Sequence, residues 1–141
     1  MTEVTQTILT KLSETNQALA DSSEDIRNYK VRDSDGEDMG KVDELLIDSD
    51  NGKVRFLEVQ SGGIFGIGSD DLLLPVDTIT KIDSDDDVVH VNQRKDTVVN
   101  APTYDPNVVN DRPYYGSLYD YYGLAPYWAP SYAYPAFPYY R

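Results

Sequence analysis

Acid–base and nucleophilic chemistry would have to come from a small stock of residues. The 141-residue chain has one histidine and no cysteine, which excludes a thiolate nucleophile, a Cys-based zinc site and a disulfide framework. His90 stands in Val88-Val89-His90-Val91-Asn92. Strand alternation puts Val89 and Val91 on one face and His90 with Val88 and Asn92 on the other. A surface histidine on a strand is the expectation, with a titrating switch as the alternative.

Carboxylates are plentiful, and two clusters have the alternate spacing that hard cations favour. Asp33, Asp35, Glu37 and Glu44 fall at positions 1, 3, 5 and 12 of a calcium loop, but Asp38 replaces the glycine needed at position 6. Asp83, Asp85 and Asp87 fail in the same way, with Val88 at position 6 and Arg94 at position 12. The first four are therefore weak calcium candidates. Turn chemistry, in which Asp accepts from its own backbone, is the better account. A glycine-rich stretch, Gly62-Gly63 to Gly66-Ile67-Gly68, runs into Ser69-Asp70-Asp71 without the lysine or third glycine of a phosphate loop. It reads as a bent connection with Ile64, Phe65 and Ile67 covering one end of the fold. No positioned carboxylate pair is evident, so no catalytic residue, metal site or cofactor is expected, and the chain does not read as an enzyme.

The elements that must position these residues fall into three parts. Residues 1–24 form an N-terminal arm with Val4, Ile8, Leu12 and Leu19 partly at helical spacing, so the arm is expected to be helical or irregular. Nothing in it resembles a secretory signal peptide. Residues 25–100 hold short apolar runs separated by acidic turns, which is the pattern of strands. Val31 leads into Asp33-Ser34-Asp35-Gly36, and residues 41–48 are followed by Asn51-Gly52, a strong hairpin signal. Residues 53–60 alternate Val54 and Phe56 against Arg55, Leu57 and Val59. Residues 72–76, 79–82 and 88–91 complete five or six strands, with Pro75 marking a strand end or bulge. Such a pattern predicts an all-β fold, a small antiparallel β-barrel.

Residues 101–141 differ sharply from the rest. From Tyr104 onward lie 11 of the 12 tyrosines, the only tryptophan and six of the eight prolines, with three acids and two bases. Gly and Pro spacing here predicts turns and extended segments, an extended Tyr/Pro-rich tail. Each ring can bury about 150–250 Å². Tyr114, Tyr115, Tyr119, Tyr121, Tyr122, Tyr127, Trp128, Tyr132, Tyr134, Phe137, Tyr139 and Tyr140 are therefore the candidate protein-binding residues. Contact with another molecule is favoured by a small margin over contact with the chain's own barrel.

Formal charge is 12 − 25 = −13, which disfavours direct nucleic-acid binding and attraction to anionic lipid. No apolar run is long enough to span a bilayer as a helix. The expected location is cytoplasmic, with a peripheral position at a membrane complex, held through a partner, as the alternative.

Asp25-Ile26-Arg27, Val31, Asp35-Gly36, Met39-Gly40-Lys41-Val42, residues 43–48, Lys53-Val54-Arg55-Phe56-Leu57, Gly62-Gly63, Gly66, Gly68 and Leu74-Pro75-Val76-Asp77 together resemble the PRC-barrel domains. The likeness covers roughly residues 25–95. It is nearest to free-standing bacterial members with a Tyr/Pro-rich end, here Ala101-Pro102-Thr103-Tyr104-Asp105-Pro106. The resemblance implies a barrel related to the cytoplasmic domain of the photosynthetic reaction-centre H subunit and to a domain of a ribosome-maturation factor, both adaptors. The expected function is a non-enzymatic protein-binding or assembly adaptor, acting as a homo-oligomer or as a subunit of a larger complex. The alternatives are a peripheral accessory subunit of a reaction-centre-like or other membrane complex, and a ribosome- or RNA-processing-associated factor or stress-protective protein.

Overall fold

Apolar residues alternating between acidic turns give strands that must bury one face, and the described strands join into one curled sheet. The computed structural model describes residues 9–12, 25–48, 53–60, 71–102 and 112–130. Among them are β1 (Leu9–Lys11), β2 (Lys30–Arg32), β3 (Asp38–Asp48), β4 (Val54–Gln60), β5 (Asp71–Pro75), β6 (Ile79–Asp83), β7 (Val88–Val91), α1 (Lys95–Val99) and α2 (Arg112–Tyr122). The sheet order is β5-β4-β3-β2-β7-β6, with β1 added against β3. The two outermost strands, β5 and β6, are consecutive in sequence and separated only by a 3-10 turn, Val76–Thr78. The sheet must therefore curl until its ends approach, which gives the half-barrel form of the expected all-β fold.

Strand direction departs once from the antiparallel expectation. β2 and β7 pair in parallel, Lys30 with Val88 and Arg32 with His90, while the other ladders are antiparallel. The cause is the corner after β5: β6 continues around it instead of folding back beside β5, so alternation of direction breaks at one pair. Pro75 ends β5, as expected, where the turn begins.

Cross-strand rows of fully buried residues make the interior. Leu45, Leu57 and Leu74 are in register across β3, β4 and β5, and Val31, Val89 and Ile82 across β2, β7 and β6. All six have no exposed surface. β3 is long enough to serve two partners on one side, β2 near its start and β1 at its end. Register shifts between Val42 and Glu44 and between Leu46 and Ile47 mark where its ladder with β4 is irregular.

Within the N-terminal arm, four residues, 9–12, are described. Leu9–Lys11 is neither helical nor irregular but a strand, paired with Leu46–Asp48 beyond the reach of β2. Unfilled ladder positions on β3 override the weak local helical pattern. Leu9 is buried and Leu12 packs against the core; Val4, Ile8 and Leu19 lie outside the described residues. The β3–β4 hairpin is present and is closed by the Asp48 N–H donating to the Lys53 carbonyl at 3.0 Å, although Asn51-Gly52 and the glycine connection at 61–70 lie outside the described residues. No described helix is long and apolar enough to cross a membrane.

Candidate functional site

Tail residues 112–130 do not form an extended appendage. They begin with α2, and the reason is local. Pro113 sits in the first turn, where a missing N–H costs nothing. Tyr115, Leu118, Tyr119 and Tyr122 recur at helical spacing and are all buried. The helix stops at Gly123, whose φ of 71° suits glycine. Gly123 N–H donates to the Asp120 carbonyl at 3.1 Å and Leu124 N–H to the Tyr119 carbonyl at 2.9 Å, the paired bonds of a glycine C-cap.

The buried stripe lies on β4. Phe56 stacks on Tyr115 with ring centroids 5.0 Å apart and meets Tyr119 at 5.3 Å. Tyr119 in turn stands edge-on to Trp128 at 5.9 Å, and Trp128 to Tyr127 at 5.0 Å. The Arg55 guanidinium lies 4.6 Å from the centre of the Tyr127 ring while its Nε donates to Asp48 Oδ2 at 2.6 Å. Two further tyrosines tie the helix down through their hydroxyls. Tyr121 donates to the Thr97 carbonyl at 2.6 Å and Tyr114 to the Pro102 carbonyl at 3.1 Å.

Burial pushes the Tyr122 phenol well above the usual tyrosine range, with Tyr121 and Tyr114 adding to the effect. At about 1.5–3 kcal/mol for each of four buried side chains, this seam contributes on the order of 6–12 kcal/mol, comparable to the whole net stability of an ordinary domain. Seven of the twelve candidate protein-binding residues, Tyr114, Tyr115, Tyr119, Tyr121, Tyr122, Tyr127 and Trp128, thus pack on the chain's own core or are tied to it by a hydroxyl bond, Tyr121 being 40% exposed. Tyr132, Tyr134, Phe137, Tyr139 and Tyr140 lie outside the described residues.

Asp48, Arg55 and Phe56, which hold the seam from the barrel side, were not singled out by sequence. The available signal was β4 itself. Both its faces are apolar, Val54 and Phe56 on one and Leu57 and Val59 on the other, and every residue from Val54 to Val59 is buried. A strand apolar on both sides needs a cover on both sides.

Three of the calcium candidates, Asp33, Asp35 and Glu37, line one small pocket together with Arg94, Lys95 and Asp96. Asp33 Oδ1 accepts from the N–H groups of Asp35 and Glu37 at 2.9 and 2.8 Å, and Oδ2 from that of Lys95 at 2.8 Å. Burial pushes the Asp33 carboxyl up, but the backbone donors of Glu37, Lys95 and Asp35 outweigh it and hold it below the usual carboxylate range. Lys95 is 3.0 Å from Glu37 and Arg94 is 3.4 Å from Asp35, so cations of the chain itself occupy the loop. Glu44 is elsewhere, buried on β3 and accepting from the Leu45 N–H at 3.0 Å. No group of three or more potential ligands among the described residues can hold a metal ion. The loop instead caps α1, whose own N-cap, Arg94, supplies no side-chain bond. Asp83 repeats the device, accepting from Asp85 and Asp86, with Asp87 at a φ of 56° where the first turn has Gly36 at 84°.

His90 lies half-buried on the outer face of β7, with Val89 and Val91 inside, as alternation predicts. Its register partners are Arg32 on β2 and Lys81 on β6.

The family model of the PRC-barrel domain matches residues 20–98, more than half of the chain and the span that forms β2 to β7. The chain belongs to the PRC-barrel domain family. Comparison with curated proteins gives no match. At the coarse level, membership in this family points to a role in protein interaction or assembly.

Proposed function

We propose that this protein is a non-enzymatic assembly adaptor in which the acidic barrel, with α2 sealed onto β4, is a rigid platform and the aromatic segment after Pro130 is its contact element. One observation carries the reading: the barrel holds Tyr114 to Trp128 by ring stacking, a cation over Tyr127 and two hydroxyl bonds. Five more aromatics, Tyr132, Tyr134, Phe137, Tyr139 and Tyr140, therefore follow directly from a fixed point. Rigid anchoring lowers the ordering cost that a contact segment faces when it meets a partner. The single histidine and the self-paired acidic turn favour a binding role over catalysis.

Light scattering on the full chain and on a variant with those five residues changed to Ser tests the self-association form of this role. A multimeric full chain and a monomeric variant are the expected result. Equal masses at matched concentration and salt would remove self-assembly through this segment.

A further inference from the structure

In a chain with 25 acids and 12 bases, carboxylates outnumber cations two to one, and several described cations are held in close ion pairs. Arg27 pairs with Asp25, Arg55 with Asp48, Arg94 with Asp35 and Lys95 with Glu37. Lys30, Lys41 and Lys81 have no carboxylate within 4.0 Å among the described residues, and Arg32 has only Asp38 at 3.9 Å.

These four cations share one face. Lys41 is in register with Lys30, Lys30 with Val88 and Arg32 with His90, and His90 with Lys81. Residues in register point to the same side of a sheet, and so do residues two apart on one strand. The opposite side carries Val31, Val89 and Ile82, which are wholly buried, so the cations face outward. Lys30, Arg32 and Lys81 border an open groove of about 570 Å³, with Val88 and His90 in its lining and Asp83 and Asp86 contributing carboxylates; Lys41 lies beyond the groove on the same face.

We propose that this outer face of β2, β7 and β6, extended by Lys41, is a docking site for a short carboxylate-rich peptide segment of a partner protein. The site is distinct from the aromatic seam on β4 and does not depend on the contact element after Pro130. Charge complementarity selects the occupant. Adjacent strands are about 4.8 Å apart, so Arg32 and Lys81, one strand to either side of His90, stand roughly 10 Å apart across the face, matched to successive acidic side chains. The groove is open, so a single small anion stays hydrated and gains little from any one cation, whereas a segment with several carboxylates collects the contacts together. A long nucleic acid would extend beyond the patch into the field of a −13 chain. Asp83 and Asp86 then set direction, repelling acid at their end of the groove.

The test is fluorescence anisotropy of the full chain with a labelled hexaglutamate peptide, compared with a hexathymidylate strand. Variants Lys30→Glu and Lys81→Glu reverse charge on the face, and Lys53→Glu makes the same change at the start of β4. Thermal unfolding of each variant checks that the fold is retained. The expected result is peptide binding that weakens as salt rises from about 20 to 150 mM. Each reversal on the face should weaken binding about five-fold or more, and Lys53→Glu less than two-fold. Absence of peptide binding at low salt, or equal losses for all three variants, overturns the proposal. Tighter binding of the oligonucleotide than of the peptide overturns it in favour of a nucleic acid. Concentration-dependent dimers without peptide, abolished by Lys81→Glu, overturn it in favour of a second copy of the chain.

Discussion

Tyr119→Ala removes the centre of the aromatic seam and tests whether α2 is part of the fold. Tyr119 is fully buried and touches Phe56, Tyr127 and Trp128. Burying a large side chain contributes about 3 kcal/mol, and each well-placed ring pair adds about 0.5–1.5 kcal/mol. Large-to-small aromatic changes in cores cost about 3–5 kcal/mol, so about 4 kcal/mol is expected. With a urea dependence of about 1.5–2 kcal/mol per molar, the unfolding midpoint falls by roughly 2 M.

Two probes follow the transition. Trp128 is the only tryptophan and its ring is 5.9 Å from that of Tyr119, so its fluorescence reports the seam, while far-ultraviolet circular dichroism reports the sheet. In the unaltered protein the two curves should coincide, since seam and sheet share one core. Tyr121→Phe is the control: it removes only the hydroxyl bond to Thr97 and should cost about 1 kcal/mol. A loss below about 1.5 kcal/mol for Tyr119→Ala, or a tryptophan transition well ahead of the sheet transition, refutes the claim that the seam and barrel are one unit.

Arg55→Ala leaves Asp48, which has no exposed surface, as a buried charge without its 2.6 Å partner, and a loss of about 3–5 kcal/mol in chemical unfolding is expected. The double variant Asp48→Asn with Arg55→Met should recover much of that loss, because the uncompensated charge is gone. Asp33→Asn should flatten the pH dependence of stability on the acid side. The folded-state carboxyl is held low by backbone donors that outweigh burial, so its contribution is present above the unfolded value of about 3.9 and is lost as pH falls through the folded value. Denaturant midpoints of both proteins between about pH 5 and pH 2 check this, and parallel curves would contradict it.

The strands were legible because turn chemistry separates them. Asp33-Ser34-Asp35-Gly36 carries its own backbone acceptor and its own left-handed residue, and the structure uses both. Pro75 likewise marks the end of β5. Leu9–Lys11 was not legible, because three residues with one apolar side chain make no pattern, and the vacancy they fill lies on β3. α1 was hidden for a similar reason, since its N-terminal acceptor comes from Asp33, far away in sequence. α2 was legible in part: the stripe Tyr115, Leu118, Tyr119, Tyr122 and the stop at Gly123 are helix signals. The prolines obscured them, although Pro113 occupies a position that tolerates proline. The cationic face could not be found by reading along the chain, since Lys30, Lys41 and Lys81 come to one side only through strand register.

The parallel pairing of β2 with β7 constrains the order in which the molecule can form. The β3–β4 and β6–β7 hairpins use neighbouring segments and can form early. Joining Lys30 to Val88, by contrast, must wait until both are in place, and non-local closure of this kind slows folding. The cover for Phe56 comes still later in the chain, from Tyr115 and Tyr119. On a ribosome, where the amino-terminal part emerges first, an apolar strand face stands open throughout synthesis of the following sixty or so residues, about 3–12 s at ordinary elongation rates. The nascent chain is therefore exposed to wrong contacts during that interval, and the aromatic tail that ends it is in effect the molecule's own late-arriving chaperone.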